Sequence, residues 1–120
     1  RVIVAMNRIL AGVGGTQVVI FDEVDAGIGG AIAEVFGRKL RELSKHHQVI
    51  CVTHLPQIAS FADRHHSVKK EVRAGRTVTL VNPLEKEAIV DEIARMLGGV
   101  KVTEKTRAHA KEMIENARRS

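Results

Sequence analysis

A chain of 120 residues with 44% hydrophobic content has material for one compact domain or lobe, and no apolar stretch approaches the ~20 residues that span a bilayer. Three Phe and no Trp or Tyr leave too few rings to stack on single-stranded bases, so the core must be built mainly from Val, Ile, Leu and Ala. Lys and Arg exceed Asp and Glu by 19 to 14, a net charge of +5 that suits a polyanionic partner such as a nucleotide or DNA.

The first residues, RVIVAMNRILAG, carry apolar side chains on most sides and stop at Gly12, which predicts a largely buried helix. No N-cap residue precedes Arg1, so the expectation is a segment cut from something longer. GVGGT is a breaker cluster. The β-branched run QVVIF after it predicts a strand buried on both faces, ended by Asp22 and Glu23.

From about Ala31 to Leu43, Ile32, Val35, Phe36, Leu40 and Leu43 recur at helical spacing, with Arg38, Lys39, Arg41 and Glu42 opposite them. QVICVTH repeats the pattern of apolar run and polar tip. Strand, helix and strand are most simply a right-handed parallel crossover. Cys51, the single cysteine, lies inside that second run; it excludes an intramolecular disulfide and reads as a small core residue in a reducing, cytoplasmic compartment.

LPQIASFA predicts a short helix with Pro56 in its first turn. HHSVKKEV and RTVTLV flank Ala74 and Gly75 and alternate as an antiparallel hairpin. EKEAIVDEIARMLGG predicts an amphipathic helix with Ile89, Val90, Ile93, Met96 and Leu97 on one face and a Gly pair at its end. A last helix from about Thr103 has a thin apolar stripe of Ala110, Met113, Ile114 and Ala117. In this last segment Lys101, Lys105, Arg107, Lys111, Arg118 and Arg119 alternate with Glu104, Glu112 and Glu115, which fits a solvated face or a DNA-facing patch.

Ligands of open α/β sheets sit beyond the carboxyl ends of parallel strands. One strand delivers Asp22 and Glu23 there and the other delivers Thr53 and His54, although about thirty residues separate them. Carboxylates leaving an apolar strand are costly to desolvate unless they meet a cation or donors. Hydrated Mg²⁺ on nucleotide phosphates would meet that need, with Asp22 reaching the metal through water and Glu23 polarising an attacking water. The plainer alternative is an N-cap with a first-turn acid for the next helix.

VVIFDEVDAGIGG, then VICVTHLPQIASFADRHHSVKK and EIARMLGG, resemble the C-terminal head segment of the RecN family, from Arg1 to about Gly99. These are bacterial DNA double-strand-break repair ATPases related to the structural-maintenance-of-chromosomes proteins. The resemblance implies an α/β fold: the C-terminal lobe of a P-loop, ABC-type ATPase head, with a parallel strand-helix-strand core, a hairpin and C-terminal helices. It implies an α/β part with hairpin over 1–82 and C-terminal helices over 83–120, both within one lobe.

By the same resemblance, Asp22 is the Walker B aspartate that helps to hold Mg²⁺, Glu23 activates the hydrolytic water, and His54 is the switch histidine that contacts the γ-phosphate of ATP. Val24, Asp25, Ala26, Gly27, Ile28, Gly29 and Gly30 fall on the D-loop, which crosses the dimer interface. Gly29 stands where many relatives carry an aspartate, so only its backbone could make that contact. The implied partners are a second copy of the head, the N-terminal half of the same protein, and DNA, with no membrane and a nucleoid-associated location in a bacterial cytoplasm.

No GxxxxGK[ST] loop occurs: GVGGTQ lacks the Lys-Ser/Thr pair and LGGVKVT has the wrong spacing. The resemblance puts that phosphate loop, the coiled coil and the signature motif outside this chain, which alone is then expected to be inactive. Val24-Asp25 replaces the Pro-Thr usual in transporters. Two alternatives stay open: a non-catalytic dimerisation or DNA-binding module of ABC ATPase shape, and the head of another chromosome-maintenance or ABC ATPase.

His46, His47, His65, His66 and His109 match no zinc spacing and are expected at the surface. Lys69, Lys70, Arg73 and Arg76 around the hairpin could touch DNA phosphates or guard a strand edge.

Overall fold

A computed structural model describes residues 2–6, 18–22, 27–98 and 101–119. In chain order its elements are β1 (Val2–Met6), β2 (Val18–Phe21), α1 (Gly30–Leu43), β3 (Gln48–Thr53), α2 (Pro56–Ala59), β4 (Arg64–Arg73), β5 (Arg76–Leu84), α3 (Glu87–Gly98) and α4 (Glu104–Arg119). The strands form one mixed sheet in the order β2-β3-β1-β4-β5. β2 and β3 are parallel, with Phe21 level with Cys51, and every other neighbouring pair is antiparallel.

Two expectations are corrected at the start of the chain. Residues 2–6 form a strand rather than the first turns of a helix, because the β-branched run Val2-Ile3-Val4 finds ladder partners on both sides: Val2 faces Thr53 of β3 and Ser67 of β4. Tertiary pairing overrides the helical pattern. Among the described strands β2 lies at the sheet's edge, and Val18 and Ile20 are 53% and 65% exposed rather than buried.

Helix α1 keeps Leu40 buried and Phe36 and Leu43 against the core, as its spacing predicts, but the rest of the predicted face is shifted. The periodic residues Ile32 and Val35 are exposed, while Ala33, Gly37 and Leu40 are buried. The cause is close packing against α2. A Cβ on Gly37 would lie 2.6 Å from Cδ2 of Phe61 and 3.2 Å from the Gln57 carbonyl oxygen, so only a small-residue stripe admits the neighbour. Arg41 then donates to the Phe61 carbonyl at 2.9 Å, tying the two segments together.

The main core joins Ala33, Leu40, Val49, Cys51, Ile58, Ala59, Phe61 and Ala117. Cys51 is buried within it, as a small core residue should be. A second cluster of Val90, Ile93, Ala94 and Ala110 forms where α3 meets α4, and Ile89, Leu97 and Ile114 pack against it. Arg107 of α4 pairs with both Glu87 and Asp91 of α3. The thin stripe of α4 therefore has two partners, since Ala110 enters the second core and Ala117 the first.

The hairpin forms as its alternation predicts. Ala74 and Gly75 both take positive φ, 49° and 77°, which matches the right-handed twist of the strands they join. Among the described residues no helix is long and apolar enough to cross a membrane.

Candidate functional site

Because β2 and β3 run parallel and side by side, their carboxyl ends reach the same edge of the sheet. Asp22 follows Phe21 directly and His54 follows Thr53, so the two polar tips stand on adjacent strands and both are exposed. Each is held by its predecessor. Phe21 meets Phe36 of α1 edge to face, with ring centroids 6.0 Å apart. Thr53 is buried, and its hydroxyl accepts the Leu55 backbone N–H at 3.0 Å. That local turn bends the chain into α2, where Pro56 opens the helix and leaves His54 at the bend.

Glu23, Val24, Asp25 and Ala26 lie outside the described residues. Gly27 follows in a turn with φ 74°, and Ile28 packs against the main core. Gly29 is the N-cap of α1 and makes no side-chain cap hydrogen bond. Among the described residues nothing lies within 4 Å of a Cβ built on it. A Cβ on Gly30 would meet the Gln57 side chain at 3.5 Å.

A cleft of about 540 Å³ opens between α1, α2 and α4, beside Gly30, Glu34, Gln57 and His109. It does not take in Asp22 or His54. Among the described residues no group of three or more His, Cys, Asp or Glu could hold a metal ion. A lone hard carboxylate such as Asp22 suits a cation held largely by phosphates and water, the usual manner of Mg²⁺ at nucleotide sites, and does not suit a closed protein cage.

The histidines divide differently from the expectation of a uniform surface set. His46 and His109 are exposed and His47 and His66 half-buried, but His65 is 4% exposed. It alternates inward with Ser67 along β4, where β1 pairs with the strand. Burial lowers its pKa to about 4, against a hydrogen bond to the Ala62 backbone that raises it; His66 lowers it further and Asp63 raises it. The signal was present in the period-2 pattern of the hairpin.

No family model matches the chain. It is 44% identical to the DNA repair protein RecN of Bacillus subtilis over 117 residues and 46% identical to that of Streptomyces coelicolor over 118, each covering 98% of the chain. This chain matches RecN along nearly all of its length. The RecN of Vibrio cholerae is similar too, at 45% over 114 residues. The chain spans about a fifth of the length of these curated relatives. A likeness over 117 of the 120 residues takes in most of the tail, beyond the stretch whose motifs are distinctive.

Proposed function

We propose that this chain is part of the ATP-hydrolysing head of a RecN-like DNA double-strand-break repair protein. The observation that carries the reading is the parallel pairing of β2 and β3, which supports a shared site by bringing Asp22 and His54 to one edge on neighbouring strands. The similarity to RecN proteins, which serve DNA repair, supports the process.

In this reading Asp22 helps to hold the metal through its water shell. Glu23 is the general base that polarises the attacking water, and His54 steadies the terminal phosphate by donating from its ring. Mg²⁺, when bound, neutralises phosphate charge as the terminal phosphoryl group leaves. The segment from Val24 to Gly30 reaches a second head across the dimer interface, and the phosphate loop comes from the N-terminal half. Two heads enclosing ATP would couple nucleotide state to engagement of DNA in a bacterial cytoplasm. Hydrolysis in this reading requires the N-terminal half, since the chain's sequence contains no GxxxxGK[ST] loop.

The test is Glu23→Gln in the full-length protein. ATP binding should persist while turnover falls by about 100-fold or more, the range expected for a lost general base, and the closed dimer should accumulate. Unchanged turnover removes Glu23 from the role. Absence of any ATP hydrolysis in the wild-type protein, joined to DNA binding, would favour the non-catalytic module instead.

A further inference from the structure

The hairpin does not end where the sheet ends. β1 pairs with β4 only from Arg64 to Ser67, whereas β4 and β5 stay paired out to Arg73 and Arg76. Beyond Ser67 the strands continue as a two-stranded ribbon, residues 68–81, with no third strand among the described residues. At the rise of an extended chain, about six paired residues make a prong of roughly 20 Å. Register fixes its direction: Thr53 and Ser67 both face Val2, and β3 and β4 are each antiparallel to β1. The ribbon therefore leaves the sheet by the same edge as His54.

The ribbon is also where the charge excess collects. Residues 68–81 contain Lys69, Lys70, Arg73 and Arg76 against Glu71 alone, so four positive charges less one negative give +3 of the chain's +5. All four cations are exposed, and Lys69, Lys70 and Arg76 make no ion pair among the described residues. The only acid is committed locally, 3.1 Å from Arg73. Cross-strand register puts Lys69, Glu71, Arg73 and Arg76 on one face, with Arg73 directly opposite Arg76 and paired to Glu71, so that face carries two net positive charges, three cations less one acid. Glu71 answers only one of these cations, and the facing Arg73 and Arg76 still favour a further anion.

Edge protection would account for scattered lysines but not for this arrangement, in which one face of a projecting ribbon carries Lys69 near its base and Arg73 and Arg76 at its tip. Val72, 76% exposed, and Val81, 50% exposed, lie on the opposite face.

We propose that the ribbon's Lys69, Arg73 and Arg76 face is a docking prong for the phosphate backbone of duplex DNA. A two-stranded ribbon has the width that a major groove accepts, and regularly spaced phosphates answer the row of cations. The proposal rests on the DNA-partner half of the reading above and adds the surface that makes the contact. The prong leaves the sheet by the edge that carries His54, with β1 between their strands.

The experiment uses the full-length protein and a fluorescently labelled duplex, with affinity followed by anisotropy across about 50 to 200 mM salt. Lys69→Gln/Arg76→Gln should weaken binding about ten-fold irrespective of sequence and make the salt slope shallower by about two. Glu71→Gln should tighten binding, a change of opposite sign that a misfolded ribbon would not give, and Lys69→Arg should bind as wild type does. ATP hydrolysis without DNA should be the same in all three variants.

Unchanged duplex affinity and slope overturn the proposal, as does loss of binding to phosphatidylserine vesicles with duplex binding intact. If wild-type protein hydrolyses no ATP while the charge variants still lose duplex affinity, the prong stands and the nucleotide reading falls. Hydrolysis with duplex affinity indifferent to the variants does the reverse: the prong falls and the nucleotide reading stands.

Discussion

Phe21 and Phe36 meet edge to face, with ring planes 89° apart, one residue before the chain reaches Asp22. This contact joins the carboxyl end of β2 to α1 and fixes where the strand stops. Both rings are half-buried, so Phe36→Ala loses part of a full aromatic burial together with the ring pairing, about 2 kcal/mol in all. Urea unfolding should show a lower midpoint by that amount.

Gly37 gives the opposite of what helix propensity suggests. Alanine in a helix interior usually gains roughly 1 kcal/mol over glycine, but here its Cβ would press on the buried Phe61 ring and on the Gln57 backbone. Overpacking of that kind costs about 1–3 kcal/mol. Gly37→Ala should therefore lower the thermal midpoint, and a higher midpoint would mean that α2 yields freely.

His65 makes stability depend on pH. Its folded pKa, about 4, lies below the unfolded value of 6.5, so the unfolded chain binds more protons between those values. The His65 contribution is complete above pH 6.5 and is lost as pH falls through 6.5 toward 4, by up to roughly 1.4 kcal/mol per pH unit. Urea midpoints measured from about pH 7 down to about pH 4.5 should fall in the wild-type chain, and His65→Leu should flatten that part of the profile.

His54 should separate activity from stability. It is exposed at the bend after β3, where a surface interaction contributes at most about 1 kcal/mol, so His54→Ala should change folding stability by no more than that. In the full-length protein the same change should lower ATP turnover by about 100-fold, the scale of one lost oxyanion-type donor. Intact turnover would take the residue out of the site.

The sequence by itself determined the elements whose signal is local. Pro56 opened α2, Ala74-Gly75 closed the hairpin, and the helical spacing of Val90, Ile93 and Leu97 defined α3, because each depends on backbone preference or on the periodicity of a single segment. The polar tips Asp22 and His54 were legible for the same reason, since each follows an apolar run.

Only the tertiary structure decided which faces are buried and which strands pair. Val2 to Met6 is a strand because β3 and β4 supply ladders on both sides, and α1 buries Gly37 rather than Ile32 because Phe61 packs where a larger side chain would collide. His65 is internal because β1 lies beside β4. These outcomes depend on contacts between segments far apart in the chain, and no periodicity within a segment encodes the partner that will cover it.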